Sequence, residues 1–387
     1  MVESSVRGRK FRQIIDQFMD GEIPRRVLIV GPSWVGDMVM AQALFKVIKQ
    51  RRPDTVIDVL APAWSRPLLE RMPEVRGAID MPAGHGQMLL RARYRLGQSL
   101  RGQYDQAILL PNSLKSALVP LFAKIPVRTG WRGEMRYGLL NDLRWLDKRR
   151  YPLMVERFIA LGFTEGAALP KQLPHPELVV ENSKLPALLS HFESEGVTLN
   201  RRRPILALCP GAEFGPAKRW PERHYSAVAA AKISAGWQVW LMGSGNDNAV
   251  AEAIRSLLPP ALRQYCVNLA GVTALAEAID LLSLAAAVVS NDSGLMHIAA
   301  ALRRPLVVVY GSTSPKFTPP LAKDVRIESI SVECGPCFQR QCPQRHLKCL
   351  NDLEPAQVLN ALEQLIATDE VESCTGNTAP EPRALGD

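Results

Sequence analysis

The 387-residue sequence has no unbroken apolar run approaching the roughly 18 residues that a membrane-spanning helix needs, which points away from helical membrane proteins and towards a soluble one. The stretch MVESSVRGRKFRQIIDQFMDGEIPRR mixes charged and apolar residues throughout, without the apolar core and small-residue cleavage site of a secretory signal. Cytoplasm is therefore the expected compartment. The cysteine count, seven, is odd, and Cys209 and Cys266 sit in or beside apolar runs where a free thiol simply packs. A disulfide-stapled secreted scaffold does not fit that usage. Nor is composition unusual, with 47% hydrophobic and 22% charged residues, and the length exceeds what one core covers, so two domains are expected.

The net charge of +9 is unevenly placed: Lys124 to Arg150 holds eight Lys/Arg against three Asp/Glu, and Arg91, Arg93, Arg95 and Arg101 add to the same half. A basic face of this kind attracts a polyanion, be it nucleic acid, an anionic membrane or a phosphorylated substrate, and charge alone does not choose among them. A solvated face with no partner explains it equally well.

Two stretches, RVLIVGPSWVGDMVMAQALFKVI and RPILALCPGAEFGPAKRWPERHY, begin alike, with a short apolar strand, a Gly/Pro turn and a helical pattern. TVIDVLAP, RGAIDMP and YDQAILLPN read as further strands in the first half, with helical segments at about Ala63–Arg71 and Gln87–Leu100. WQVWLMG, YCVNLAG, AAAVVSND and PLVVVYG play the strand part in the second half. Alternating strands and helices imply an α/β chain of two doubly wound, Rossmann-like domains on parallel sheets, facing a central cleft. We place an N-terminal extension at 1–25, an N-terminal domain at 26–175, a Pro-marked linker at 176–203 with strands at its margins, and a C-terminal domain at 204–368. A last helix at about Glu354–Thr368 precedes a polar tail, 369–387, whose composition predicts disorder.

Ligands bind at the carboxyl ends of parallel strands, so motifs directly after strands carry the functional reading. GPSWVGDMVMAQAL lacks the GxGxxG pattern, but Gly31 and Gly36 permit close backbone approach and Asp37 opens a helix. Asp37 is either a helix-start carboxylate favoured by the dipole or, pointing into the cleft, a base for an attacking hydroxyl. In CPGAEFGPAKRWP, Gly211, Gly215 and Pro216 form a loop exposing Lys218, which is a phosphate ligand or an ordinary surface lysine beside Trp220. SNDSGLMHIAAAL offers Asp292 and Ser293 as caps and Gly294 with free amides facing an anion; His297 lies on the same helix face as Ser293. GSGND, with Gly243 and Asp247, and GSTSP from Gly311 to Pro315 are weaker, although Asp247 could reach a ribose or base. Finally, Cys334, Cys337, Cys342 and Cys349 are spaced Cys-x2-Cys-x4-Cys-x6-Cys. Four thiolates suit structural zinc, while the irregular spacing without a second CxxC suits a reduced cysteine-rich loop.

Taken in order, GPSWVGDMVMAQ, the KRWP element, SNDSGLMHIAAAL and CGPCFQRQCPQRHLKCL resemble the successive signatures of the lipopolysaccharide heptosyltransferase family, over roughly Arg26 to Leu365. The cysteine segment favours type II over type I members. The resemblance implies a GT-B type fold and inverting transfer of heptose from ADP-heptose to the first heptose of a Kdo-lipid A inner core. Catalytic roles then fall to Asp37, as base, and Lys218. Donor binding falls to Gly211, Gly243, Asp247, Asp292, Ser293, Gly294 and His297, and acceptor binding to Gly36, Arg91, Arg93 and Arg95. No cofactor or divalent metal is required, and zinc at the cysteines would be structural. The basic face then meets the lipid acceptor at the cytoplasmic surface of the inner membrane, and nucleic acid is not a partner. Glu213 and Phe214 depart from type I members, which carry hydroxyl residues beside the phosphates. Two alternatives stay open: a family member with another acceptor, type I included, and a non-catalytic binder of anionic lipid or nucleic acid.

Overall fold

The computed structural model describes residues 25–82, 87–199 and 202–375. The first sheet contains β1 (Arg26–Val30), β2 (Val56–Ala61), β3 (Val75–Asp80), β4 (Gln106–Leu109), β5 (Val127–Trp131) and β6 (Asp142–Arg144), all parallel in the order β3-β2-β1-β4-β5-β6. The second contains β7 (Ile205–Cys209), β8 (Gln238–Leu241), β9 (Cys266–Asn268), β10 (Ala287–Asn291), β11 (Leu306–Val309) and β12 (Val325–Glu328), parallel in the order β12-β11-β10-β7-β8-β9. In each sheet the first strand is central, the next two extend to one side and the last three to the other. That is the doubly wound order, and the expected α/β architecture is found in both halves. The central strands are continuous apolar runs because helices cover both faces; β7 and β10 are buried along their whole length.

Five helices position the groups discussed below: α1 (Val35–Arg51), α2 (Leu90–Ser99), α3 (Leu185–Ser194), α4 (Gly294–Ala301) and α5 (Pro355–Thr375). The strand order reverses between β1 and β4 and between β7 and β10. Loops leaving those strands therefore open onto crevices, and GPSWVGD, CPGAEFGPAK and SNDSG all leave them.

Several expectations change. β5, β6 and β12 are unforeseen: β5 carries Arg128, β6 is three residues long, and β12 alternates charge along the rim of its sheet, so none shows a clear apolar period. The stretch placed as a linker, 176–203, shows no strand among its described residues. It contains α3, whose Leu189 and Phe192 enter the main core. The final helix runs to Thr375, so 369–375 are helical rather than tail, while 376–387 and residues 1–24 lie outside the described residues. No described helix is long and apolar enough to cross a membrane.

The two halves meet along a partly polar seam. Gln42, fully buried on α1, donates to the Glu177 carbonyl (2.7 Å) and to Glu74 (2.8 Å), and accepts from the Glu177 amide (2.8 Å). The Arg71 guanidinium grips Asp280 of the second half at 2.7 Å, and the chain between the halves pairs with both, Val179 N to Arg71 O at 2.9 Å and Leu178 N to Ala301 O at 3.0 Å.

Candidate active site

α1 and α4 come from different halves and touch through their first turns. A Cβ on Gly36 would stand 2.6 Å from Cδ2 of His297, and one on Gly294 would stand 2.8 Å from Cβ of Val35. Each helix thus presents a glycine to a side chain of the other. Space, not backbone torsion, demands glycine here. His297, aimed at an anion in the sequence reading, is instead buried against Gly36, and burial drives its imidazole down to about 4, so it is neutral at physiological pH.

This contact gathers three charged groups. Lys218 Nζ lies 2.6 Å from Oδ2 of Asp292 and 3.4 Å from its carbonyl oxygen, and Thr313 Oγ1 donates to the same carboxylate oxygen at 2.6 Å. Asp37, in the first turn of α1, feels both partners. Burial raises its carboxyl to about 6; Lys218 pulls it down and Asp292 pushes it up. An amino-terminal dipole would favour the ionised form, so desolvation outweighs it here. A carboxyl of that affinity accepts a proton near neutral pH more readily than an ordinary aspartate.

Neither Asp292 nor Ser293 caps α4 with its side chain, contrary to expectation. Asp292 is turned to Lys218 and Thr313, and Ser293 Oγ lies 3.3 Å from Ser290 Oγ. Among the described residues the first amides of α4 have no side-chain cap, which is the arrangement an anion completes. Asn291, which sequence reasoning passed over inside its own motif, fixes the Lys218 loop. Its Oδ1 accepts from Trp220 N (3.1 Å) and Tyr225 OH (3.0 Å), and its Nδ2 donates to Pro210 O at 2.6 Å.

Other expected residues are used differently. Asp247 is packed against Gly211 and Gly243, where a Cβ would strike it. Its Oδ2 accepts from Ser244 N (3.0 Å) and Oγ (2.7 Å), and its Oδ1 lies 3.7 Å from Arg219. The carboxylate is therefore engaged locally rather than free for a ribose, and the two glycines make room for it. Arg93, expected on the acceptor face, is 3% exposed and donates to the carbonyls of Met88, Lys115 and Gln87. It holds a loop, while Arg91 and Arg95 on α2 remain exposed. Arg136 and Arg144 of the basic stretch are likewise buried on backbone carbonyls, so the face is less basic than the sequence implies.

Cys334, Cys337, Cys342 and Cys349 are free thiols. Backbone amides of residues 344–347 lower the Cys342 thiol, and burial, then the other three sulfurs, raise Cys349. The donor set suits zinc, yet among the described residues no group of three or more His, Cys, Asp or Glu is disposed to hold a metal ion. The helix contact generates a test: Gly36→Ala should cost at least tenfold in turnover by separating the first turns of α1 and α4, with far-UV circular dichroism unchanged. Wild-type turnover in that variant would show the contact to be dispensable.

The sequence profile of glycosyltransferase family 9 (heptosyltransferase) matches residues 93–348. The lipooligosaccharide heptosyltransferase 2 of Haemophilus influenzae is 52% identical over 88% of this chain and 99% of its own length; the lipopolysaccharide heptosyltransferase 2 of Escherichia coli is 48% identical over 89% and 99%. The solved structure of E. coli ADP-heptose lps heptosyltransferase II superposes with a TM-score of 0.79, covering 89% of this chain and 99% of that one. With two doubly wound sheets and a charged site where their strand orders reverse, the chain belongs to glycosyltransferase family 9, the heptosyltransferases.

Proposed function

We propose that the protein transfers heptose from ADP-heptose to the first heptose of a Kdo-lipid A inner core, with inversion at the anomeric carbon, in building the lipopolysaccharide core. The observation that carries the mechanism is Asp37, raised to about 6 beside Lys218 at the junction of the two halves. Asp37 takes the proton of the acceptor hydroxyl as its oxygen attacks the anomeric carbon, and the bond to the diphosphate breaks on the opposite face. The departing ADP gains negative charge. Lys218 and the unclaimed amides of α4 receive it, in preorganised positions that need no reorientation during the reaction. This reading assigns the charge-neutralising role to protein groups rather than a divalent metal.

On this reading ADP release requires an acceptor ending in one inner-core heptose and persists in excess EDTA. Asp37→Asn should slow release by roughly 100-fold or more while leaving ADP affinity near normal. Release with heptose-free Kdo-lipid A instead would make the acceptor that of a type I enzyme. Because the base must be ionised, wild-type kcat/KM should fall about tenfold per pH unit below about pH 6. A carboxyl raised in the folded state costs stability when ionised, and that cost fades as pH falls through 6 towards the ordinary value near 4. Asp37→Asn should therefore unfold at a higher temperature than wild type at pH 7, and a lower one would contradict the burial argument.

We also read the protein as peripheral on the cytoplasmic face of the inner membrane. Met135, Tyr137 and Trp145 are exposed (80%, 59% and 65%), and the Arg132 guanidinium lies 4.0 Å from the Trp145 ring centroid. Amphipathic aromatics beside arginine suit the headgroup layer of an anionic bilayer. Co-sedimentation with anionic vesicles should fall several-fold in Tyr137→Ala/Trp145→Ala, and equal sedimentation would remove this face from membrane contact.

A further inference from the structure

The Lys218–Asp292 pair leaves an electrostatic shortfall. Lys218 is the cation of the donor loop, yet a carboxylate sits 2.6 Å from it and Asp37 is close enough to be affected by both. A nucleoside diphosphate brings further negative charge, and the leaving group brings more. Neutral amides offset only part of this. A second cation facing the same space is needed, and Arg219, next to Lys218, turns to Asp247 instead, 3.7 Å from its carboxylate.

The cysteine segment supplies one. Gly215, at φ 152°, has its α-carbon against the Arg340 carbonyl, where any side chain would collide, and Ala217 N donates to that carbonyl at 3.1 Å. Phe338 N donates to Ser312 O (2.7 Å), and Ser312 N donates to Ala217 O at 3.3 Å. The segment from Cys334 to Cys349 is thereby laced to the loop that presents Lys218. On top of this lacing the Arg340 guanidinium carbon lies 5.5 Å from the centroid of the Phe214 ring, and Lys218 Nζ lies 5.0 Å from the same centroid. Phe214 cannot hydrogen-bond a phosphate, but it can seat two cations by their attraction to its ring. Arg340 is exposed and, among the described residues, pairs with no carboxylate.

We infer that Arg340 is a donor-binding residue, a second cation for the diphosphate of the sugar nucleotide, and that the cysteine segment serves to carry it to the Lys218 loop. This rests on the donor reading given above. Its planar fork can hold two phosphate oxygens at once, which the Lys218 ammonium, shared with Asp292, cannot.

ADP, AMP and adenosine binding to the full-length protein, measured by calorimetry at two salt concentrations, tests the inference. Arg340→Ala should weaken ADP about tenfold, with less salt dependence than wild type, while adenosine affinity and the thermal midpoint stay unchanged. Arg340→Lys should recover part of the loss, and Arg345→Ala, an exposed arginine of the same segment, should recapitulate wild type. A drop in adenosine affinity equal to that for ADP would mean that Arg340 only shapes the loop, and the inference fails. Unchanged ADP affinity in Arg340→Ala also overturns it. Lys218→Ala, run alongside, separates the two levels: if that variant loses ADP while Arg340→Ala does not, the donor site stands and only Arg340 is wrong; if neither loses it, the donor site falls too.

Discussion

The mutual approach of the first turns of α1 and α4 is the constraint from which the rest follows. Two helices from separate sheets meet with glycine against side chain in both directions, Gly36 on His297 and Gly294 on Val35. The approach brings the Asp37 carboxyl under the influence of Lys218 and Asp292, which belong to the other half of the molecule. It also excludes water from between the helices, and exclusion of water is what raises Asp37 and lowers His297. A looser junction would leave an ordinary aspartate and an ordinary histidine. Chemistry near neutral pH is thus a property of the packing rather than of either motif alone.

The surrounding structure bears the cost. A carboxyl that resists ionisation, a lysine tied to a buried aspartate and uncapped helix amides are each less favourable than well-solvated or locally satisfied groups. Apolar strands such as β7 and β10, buried throughout, offset them. Asn291 shows how order is imposed at the site. With donors on one side and an acceptor on the other, it fixes Trp220, Tyr225 and Pro210 relative to β10, and the Lys218 loop inherits that rigidity.

Legibility in the sequence followed the strength of each physical signal. Strands such as β1, β7 and β10 were readable because burial on both faces demands unbroken apolar runs, and the loops after them were readable because glycine and proline mark turns. Asp37, Lys218, Asp292 and Gly294 could be singled out as lying after strands, and the two-domain reading set them at one cleft, but nothing local revealed the glycine-to-side-chain contact between helices that joins them. Arg93, Arg136 and Arg144 misled for the opposite reason. Arginine in a polar stretch reads as surface, whereas here each guanidinium satisfies carbonyls at loop and strand ends. Asp247 looked free because a capping partner three residues away resembles any other loop serine. Arg340 left no trace, since its relation to Lys218 runs through a contact between segments far apart in the chain.

The identical strand order in the two sheets bears on how such a protein diversifies. Each half is built around its own central strand and offers its own crevice, so on the reading proposed above the loops that meet the acceptor and the loops that hold the nucleotide are encoded in separate stretches of the gene. On that reading, substitutions after β4 or β5 would redirect what is glycosylated without disturbing the ends of β7 and β10. The helix junction limits this freedom: the short run around Gly36 must co-evolve with its neighbour on α4, as Arg71 must with Asp280, and such contacts couple two otherwise separate histories.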